Sequence, residues 1–388
     1  MRTFGKWLGR VLLLVVVLAV AGGVWKREEV SRLMAVNTLF EEDRIVDNFS
    51  NMDRAFLSIP MPRGEGEPSP LPEGPRMELP TGVEGWIDAR AVTSLLVLKD
   101  GQIAFEDYYL GTGADDLRIG WSVSKSYLAA LMGIVVAEGA IASLDDQVTK
   151  YAPALSGAAY DGVTIRQVLT MTSGILFDED YFDYNSDINR MGRVLALGGK
   201  MDDFAASIAE RFEEPGVDWQ YTSIDTHVLG MVIRGATGRS ITDLMSEKII
   251  APLATEHVPY YVTDGVGVAF ALGGINVSTR DYARFGQMIL QGGLWQGRQI
   301  VPRDWVVAST SPQAPTLPGE LHYGYQWWMP QDMRPREYMG RGIYGQYLYI
   351  NEPQGVIVVA TAADRKFRDD GVDAENTAIF RQIADALD

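Results

Sequence analysis

Apolar residues change their spacing along the chain, and each change marks a different kind of element. Val11–Trp25 carries no charge and follows Arg2, Lys6 and Arg10, the layout of a positive segment leading an apolar one. Lys26–Phe56 is mixed and partly amphipathic, with Val30, Leu33, Met34, Val36, Leu39 and Phe40 as its apolar positions. It reads as a short helix followed by an extended segment. Pro60–Pro80 interleaves Pro with Gly and Glu, which predicts a semi-rigid linker or a surface wrap. Ser94–Leu98 and Gln102–Tyr109 flank Asp100-Gly101, the turn dipeptide of a β-hairpin. The stretch Tyr127–Val136, closed by Gly139, is apolar nearly all round and predicts a buried helix.

Helical periodicity dominates the middle. Leu144–Ala154 is polar and irregular, and Thr164-Ile165-Arg166-Gln167 matches a capping box whose helix runs through Met171 to Gly174. Asp178–Asn189, rich in Asp, Tyr and Asn, reads as a loop. Helices are expected over Met201–Arg211, Tyr221–Arg234 (ended by Gly238), Ile241–Ile250 (stopped by Pro252) and Asp281–Gln291. Near the end, Gly345–Ile350 and Val356–Ala362 form a second hairpin around Asn351–Gly355, and Asp373–Leu387 is an amphipathic helix. Strands at both ends and helices between them predict an α+β domain. Its antiparallel sheet is built from the two ends and covered by terminal helices, with an all-helical subdomain inserted. The expected divisions are an anchor or signal over 1–25, an N-terminal extension with its Pro-rich linker over 26–84, and the main domain over 85–388.

Composition then removes several functions. The 388 residues carry a formal net charge of −17 with no long basic run, so nucleic acid is not an expected partner. There is no cysteine, and His227, His257 and His322 are the three histidines, none at metal-ligand spacing. Disulfides, thiolate chemistry and a His-based metal centre are therefore not expected, and no cofactor is implied. The apolar run at the N-terminus is short against the roughly 20 residues a spanning helix needs. It is read as an uncleaved single-pass anchor, with a cleaved signal as the alternative and a buried helix as a third reading. The first two place the remaining chain outside the cytoplasm, because the positive charges come first: in the cell envelope as a periplasmic domain on an inner-membrane anchor, or secreted after signal cleavage. Oligomeric state is left open.

Three stretches have the residue types for hydrolytic chemistry. Ser122-Val123-Ser124-Lys125 opens the apolar helix, and residues three apart face each other with Cβ atoms roughly 5–6 Å apart. A lysine held in low dielectric favours its neutral amine, which can act as the base a serine nucleophile requires. The bland reading is a capped helix whose lysine reaches solvent. Tyr221-Thr222-Ser223 precedes another apolar helix, and a phenol there can relay a proton; it could equally be a structural tyrosine beside an N-cap. Gly340-Arg341-Gly342-Ile343-Tyr344-Gly345-Gln346 leads into a strand. Its glycines let a substrate approach the backbone closely, and an exposed N–H there could pair with that of Ser122 around an oxyanion. A β-bulge is the structural alternative.

The order Ser-x-x-Lys, Tyr-x-Ser, Gly-rich strand resembles the serine β-lactamase and penicillin-binding-protein superfamily. The resemblance runs from about Gly85 to the C-terminus. Leu169–Gly174 and Gly273–Gly286 are similar to its class C-related branch, most of all to aminohexanoate-dimer (nylon-oligomer) hydrolases and kindred esterases, as is Asn48–Asp53. It implies a β-lactamase/DD-peptidase-like fold and hydrolysis of a small ester or amide through an acyl-enzyme on Ser122. Lys125 and Tyr221 would be the acid/base groups, and the N–H groups of Ser122 and Ile343 the oxyanion hole. Tyr181, Asn276, Tyr344 and Gln346 would line the substrate cleft.

The departures narrow the expectation. Ser223 stands where penicillin-active relatives commonly carry Asn, and Gly340-Arg341-Gly342 replaces the K-T-G element. Loss of that cation favours an esterase or amidase over a β-lactamase or DD-peptidase, although Arg341 is a potential substitute. A catalytically silent sensor of the same fold is a further alternative, countered by the intact Ser122, Lys125 and Tyr221. An α/β-hydrolase would need the final Gly of G-x-S-x-G, and Ser124 occupies that position.

Overall fold

The computed structural model describes residues 26–388 together with Trp7 and Leu13. The apolar run Val11–Trp25 therefore lies almost wholly outside the described residues. Among the described residues, no helix is long and apolar enough to cross a membrane.

Thirteen strands are described: β1 (Leu57–Pro60), β2 (Val92–Lys99), β3 (Gln102–Tyr108), β4 (Arg118–Ile119), β5 (Tyr260–Thr263), β6 (Ile275–Val277), β7 (Leu294–Trp295), β8 (Arg298–Gln299), β9 (His322–Tyr323), β10 (Trp328–Met329), β11 (Glu337–Gly342), β12 (Gln346–Asn351) and β13 (Val356–Ala362). Seven of them form the antiparallel sheet β3-β2-β13-β12-β11-β10-β9. The early and late parts of the chain meet where β2, next to the β3 edge, pairs β13 with Leu96 opposite Val359. The expected hairpins are present. Asp100 and Gly101 both take positive φ, +51° and +79°, as a tight hairpin turn of this kind requires.

Both faces of the sheet are covered, which explains the unbroken apolar runs of β2 and β13. On one face Leu96, Leu98, Leu348, Ile357 and Val359 join the main core. On the other, Leu95, Val97, Tyr349 and Val358 pack with Trp86 and Ile87 of α2 (Val83–Ala89) and with Phe380 and Ile383 of the C-terminal helix Val372–Asp385. The apolar helix α3 (Val123–Ala137) runs between β11–β12 and the helical region, against α7 (Ser223–Thr237). Gly139 ends it in a left-handed conformation, φ +80°. The capping box at Thr164 forms as expected on α4 (Ile165–Leu169).

The N-terminal part departs from expectation. Lys26–Phe56 is not a helix and an extended segment but three helices: α1 (Arg27–Asn37), Ile45–Ser50 and Met52–Ala55. Leu39, Ile45, Phe49, Met52 and Phe56 are buried in the main core, so this extension is part of the domain's packing. The Pro-rich stretch wraps rather than links. Its backbone bonds the edge strand β3 through Ile103 N–H to Pro72 O (2.8 Å), Gly74 N–H to Ile103 O (2.9 Å) and Met77 N–H to Ala104 O (2.8 Å). Covering an exposed edge in this way removes a template for aggregation.

A second sheet, β1-β5-β6-β4, was not expected, since its strands are only two to four residues long. Nor was α5 (Asp187–Ala196), whose Ile188, Met191 and Leu195 keep helical spacing but follow an acidic loop. The helix expected over Met201–Arg211 stops at Ala206 as α6, and that over Ile241–Ile250 changes to a π-turn at Ser246.

Candidate active site

Ser122 sits at the start of α3 with φ −69° and ψ −5°, and its side chain makes no capping bond. The hydroxyl is free for another partner. Lys125, one turn on, is 1 % exposed. Its Nζ donates to Ser122 Oγ (3.0 Å), Ser223 Oγ (3.3 Å) and Leu272 O (2.8 Å). The solvent-facing lysine of the bland reading is thereby excluded. Burial lowers the Lys125 pKa to about 7, against the opposing pull of the Glu179 carboxylate. An amine at that value is half neutral near pH 7 and able to accept the serine proton.

Tyr221 immediately precedes α7. Its ring lies 5.3 Å from Lys125 Nζ and packs on Trp328 at 5.0 Å between centroids. Burial drives its phenol well above the usual range, while hydrogen bonding with the Ser122 and Ser223 hydroxyls works the other way. The phenol stays protonated at neutral pH, in the form needed to give a proton to a departing group.

The third part comes from the sheet. β11 ends at Gly342, whose backbone passes so close to α3 that an added Cβ would lie 2.5 Å from Gly120 O and 3.2 Å from Ser122 N. Ile343 follows, and among the described residues neither its N–H nor that of Ser122 donates to an acceptor within the chain. Two free N–H donors beside a nucleophile suit a developing oxyanion. Both are flanked by strain: Trp121 before Ser122 has φ +42°, and Tyr344 after Ile343 has φ +59°. Non-glycine residues hold such angles at roughly 1–3 kcal/mol each, and only where packing enforces them.

Two cavities meet at this point. One, of about 280 Å³, is largely apolar and includes Ser122, Tyr181, Leu272, Ile343 and Tyr344 in its wall. The other, of about 480 Å³, is lined by Ser122, Tyr181, Tyr221, Trp328, Arg341 and Ile343 among others. Tyr181 and Tyr344 border the cavities. Asn276 and Gln346 do not. Asn276 is fully buried on β6, its amide turned onto Gly274 O at 2.9 Å. Gln346 is a brace: its Nε2 donates to Tyr344 O (3.1 Å) and Ala362 O (2.7 Å), and its Oε1 accepts from Ala362 N–H (3.3 Å). It fixes the turn that presents Ile343.

Glu179 was not singled out from sequence. Its carboxylate accepts from the Ser223 N–H, from Ser223 Oγ at 3.2 Å and from Tyr181 OH at 2.9 Å. Burial pushes its pKa up and the Lys125 charge opposes this. It stands in Asp178-Glu179-Asp180, where one inward carboxylate looks like its solvated neighbours. Arg341 pairs with Asp373 and lies 4.9 Å over the Trp328 ring.

The fold and this constellation define a β-lactamase-type serine hydrolase, and comparison with known proteins agrees. A family model described as Beta-lactamase matches residues 84–382; the chain belongs to that family. A 6-aminohexanoate-dimer hydrolase of Paenarthrobacter ureafaciens is 31% identical over 291 residues, 71% of this chain and 74% of the relative. A solved Bacillus anthracis protein, provisionally named as a 6-aminohexanoate-dimer hydrolase, superposes with a TM-score of 0.80 at 22% identity, covering 90% of this chain and 96% of its own. A family VIII carboxylesterase structure superposes with a TM-score of 0.62 at 15% identity, covering 81% and 99%. The two structures speak for the fold.

Proposed function

We propose that the protein cleaves a small ester or amide through an acyl-enzyme on Ser122. Lys125, as the neutral amine, takes the Ser122 proton as Oγ bonds the substrate carbonyl carbon. The carbonyl electron pair moves onto oxygen, where the Ser122 and Ile343 N–H groups hold it. When the tetrahedral intermediate collapses, the leaving group departs with a proton from Tyr221. The Lys125 ammonium returns its proton to the Tyr221 phenolate, restoring both groups. Water then adds to the acyl carbon as Tyr221 and Lys125 take its proton, the bond from that carbon to Ser122 Oγ breaks, and the same proton passes to Oγ as the acid leaves. The observation that carries this reading is the 3.0 Å contact between Ser122 Oγ and the buried Lys125 amine, beside two N–H groups without acceptors. A fluorophosphonate should form one adduct, mapped to Ser122, and block ester turnover; full activity in Ser122→Ala would reject the mechanism.

Penicillin recognition is less well supported. The K-T-G cation is absent, and Arg341 is engaged by Asp373. The location proposed is the cell envelope, on the strength of Arg2, Lys6 and Arg10 ahead of Val11–Trp25. External protease should reach the domain in spheroplasts, and full protection would contradict export.

A further inference from the structure

The smaller cavity beside Ser122 is completed by residues that lie outside the family-matching region, and its chemistry is one-sided. The family match begins at residue 84. Yet Val36, Leu39, Phe40 and Phe56 form part of the wall, facing Leu195 of α5. Phe40 is fixed there by stacking on Tyr344, 4.7 Å between centroids and 13° between planes. Among the described residues, no Asp or Glu lines this cavity. The one charged residue among the described lining is Arg193, whose guanidinium donates to Tyr184 O at 2.6 Å and lies 3.9 Å over the Tyr184 ring. The Glu179 carboxylate borders the larger cavity and is held by Ser223 and Tyr181.

Which half of a substrate enters which cavity follows from the proton donor. Tyr221 borders the larger cavity and not the smaller, and a general acid must reach the leaving atom. The leaving group therefore departs into the larger cavity. Ser122 and Ile343 border both, so the scissile carbonyl sits at the junction. The acyl chain is left with the smaller, apolar one.

Resting on the acyl-enzyme reading above, we infer that Val36–Phe40 is the specificity wall of an acyl pocket for an uncharged aliphatic chain. At about 280 Å³ the cavity falls just below the range of drug-sized ligand sites, about 300–1,000 Å³. A linear 6-aminohexanoyl group would carry an ammonium into it. That charge would meet no carboxylate, and desolvating an unpaired ammonium is costly. The chain thus differs in acyl preference from what the name of its Paenarthrobacter ureafaciens relative states for that protein.

The test uses the full-length protein and p-nitrophenyl esters of acetic, hexanoic, octanoic and 6-aminohexanoic acid. Hexanoate should exceed 6-aminohexanoate in kcat/KM by at least about tenfold at pH 7. Phe40→Ala should raise the octanoate-to-acetate ratio of kcat/KM, and Val36→Phe should lower it, each by about tenfold. The ratio is taken within each variant, so a smaller folded fraction does not move it. Equal turnover of the amino and plain hexanoyl esters, or unchanged ratios in both variants, overturns the inference. Absence of any acyl adduct on Ser122 would instead reject the parent mechanism.

Discussion

A buried lysine with no carboxylate in contact is a poor place for a charge, and at Lys125 this favours the neutral amine that the proposed mechanism needs. Its acceptors are two hydroxyls and one carbonyl, and burial lowers its pKa to about 7. The neutral, proton-accepting fraction grows as pH rises through that value. Acylation should therefore increase between about pH 6 and 8 with a midpoint near 7; a profile flat across this range in pre-steady-state acylation would contradict Lys125 as base. Glu179 favours the ammonium, so removing its charge should move the midpoint down. Glu179→Gln is expected to shift the acylation profile to lower pH, and an unchanged or raised midpoint would show that its field does not reach the amine. Lys125→Ala should lower kcat/KM by about 10²–10⁴-fold, read from steady-state ester hydrolysis. Ser122 and Lys125 could be proposed from spacing because i, i+3 geometry is local. Glu179 could not, because nothing in an acidic loop says which carboxylate turns inward.

Elements then set the angles at which these groups meet. Helix α3 supplies Ser122 and Lys125, the loop before α7 supplies Tyr221, and the end of β11 supplies the Ile343 N–H. Their junction depends on the bare backbone of Gly342, where a Cβ would strike Gly120 O at 2.5 Å. Gly342→Ala should push β11 away from the helix start and lower kcat by about 10²-fold with a smaller effect on thermal stability. Wild-type turnover in that variant would show that the strand does not present the oxyanion donor. Long, strongly patterned elements such as α3, α7, β2 and β13 were legible in the sequence. The short ones were not. Two-residue strands such as β9 and β10 carry too little pattern to read, and α5 was hidden behind the acidic loop it follows. The misplacement of Asn276 and Gln346 has a similar cause. A local match fixes neither side-chain direction nor a bond such as Gln346 to Ala362, sixteen residues apart.

Across the whole molecule, the sheet joins the two ends of the chain, and the N-terminal extension closes the apolar side of the site. Phe49 is fully buried and packs against Phe40, Trp121 and Tyr344 at 6.2, 5.5 and 5.5 Å between centroids. Two of those rings belong to the strained residues Trp121 and Tyr344, which flank the Ser122 and Ile343 N–H groups. Phe49→Ala should cost about 3–5 kcal/mol in denaturant unfolding, and a change below 1 kcal/mol, itself about a factor of five in the folding equilibrium, would mean that the extension does not share the core. That sharing was not evident from sequence, where the mixed stretch showed only partial amphipathicity and the prolines after it read equally as a linker or a surface wrap. The central claim is that the chain hydrolyses its substrate through Ser122, activated by Lys125. It is tested most directly by acid-quenching the reaction with p-nitrophenyl hexanoate within the first turnovers and measuring the intact mass. The account predicts one hexanoyl group on Ser122 in the wild-type protein and none in Ser122→Ala or Lys125→Ala; turnover without an acylated Ser122 would contradict it.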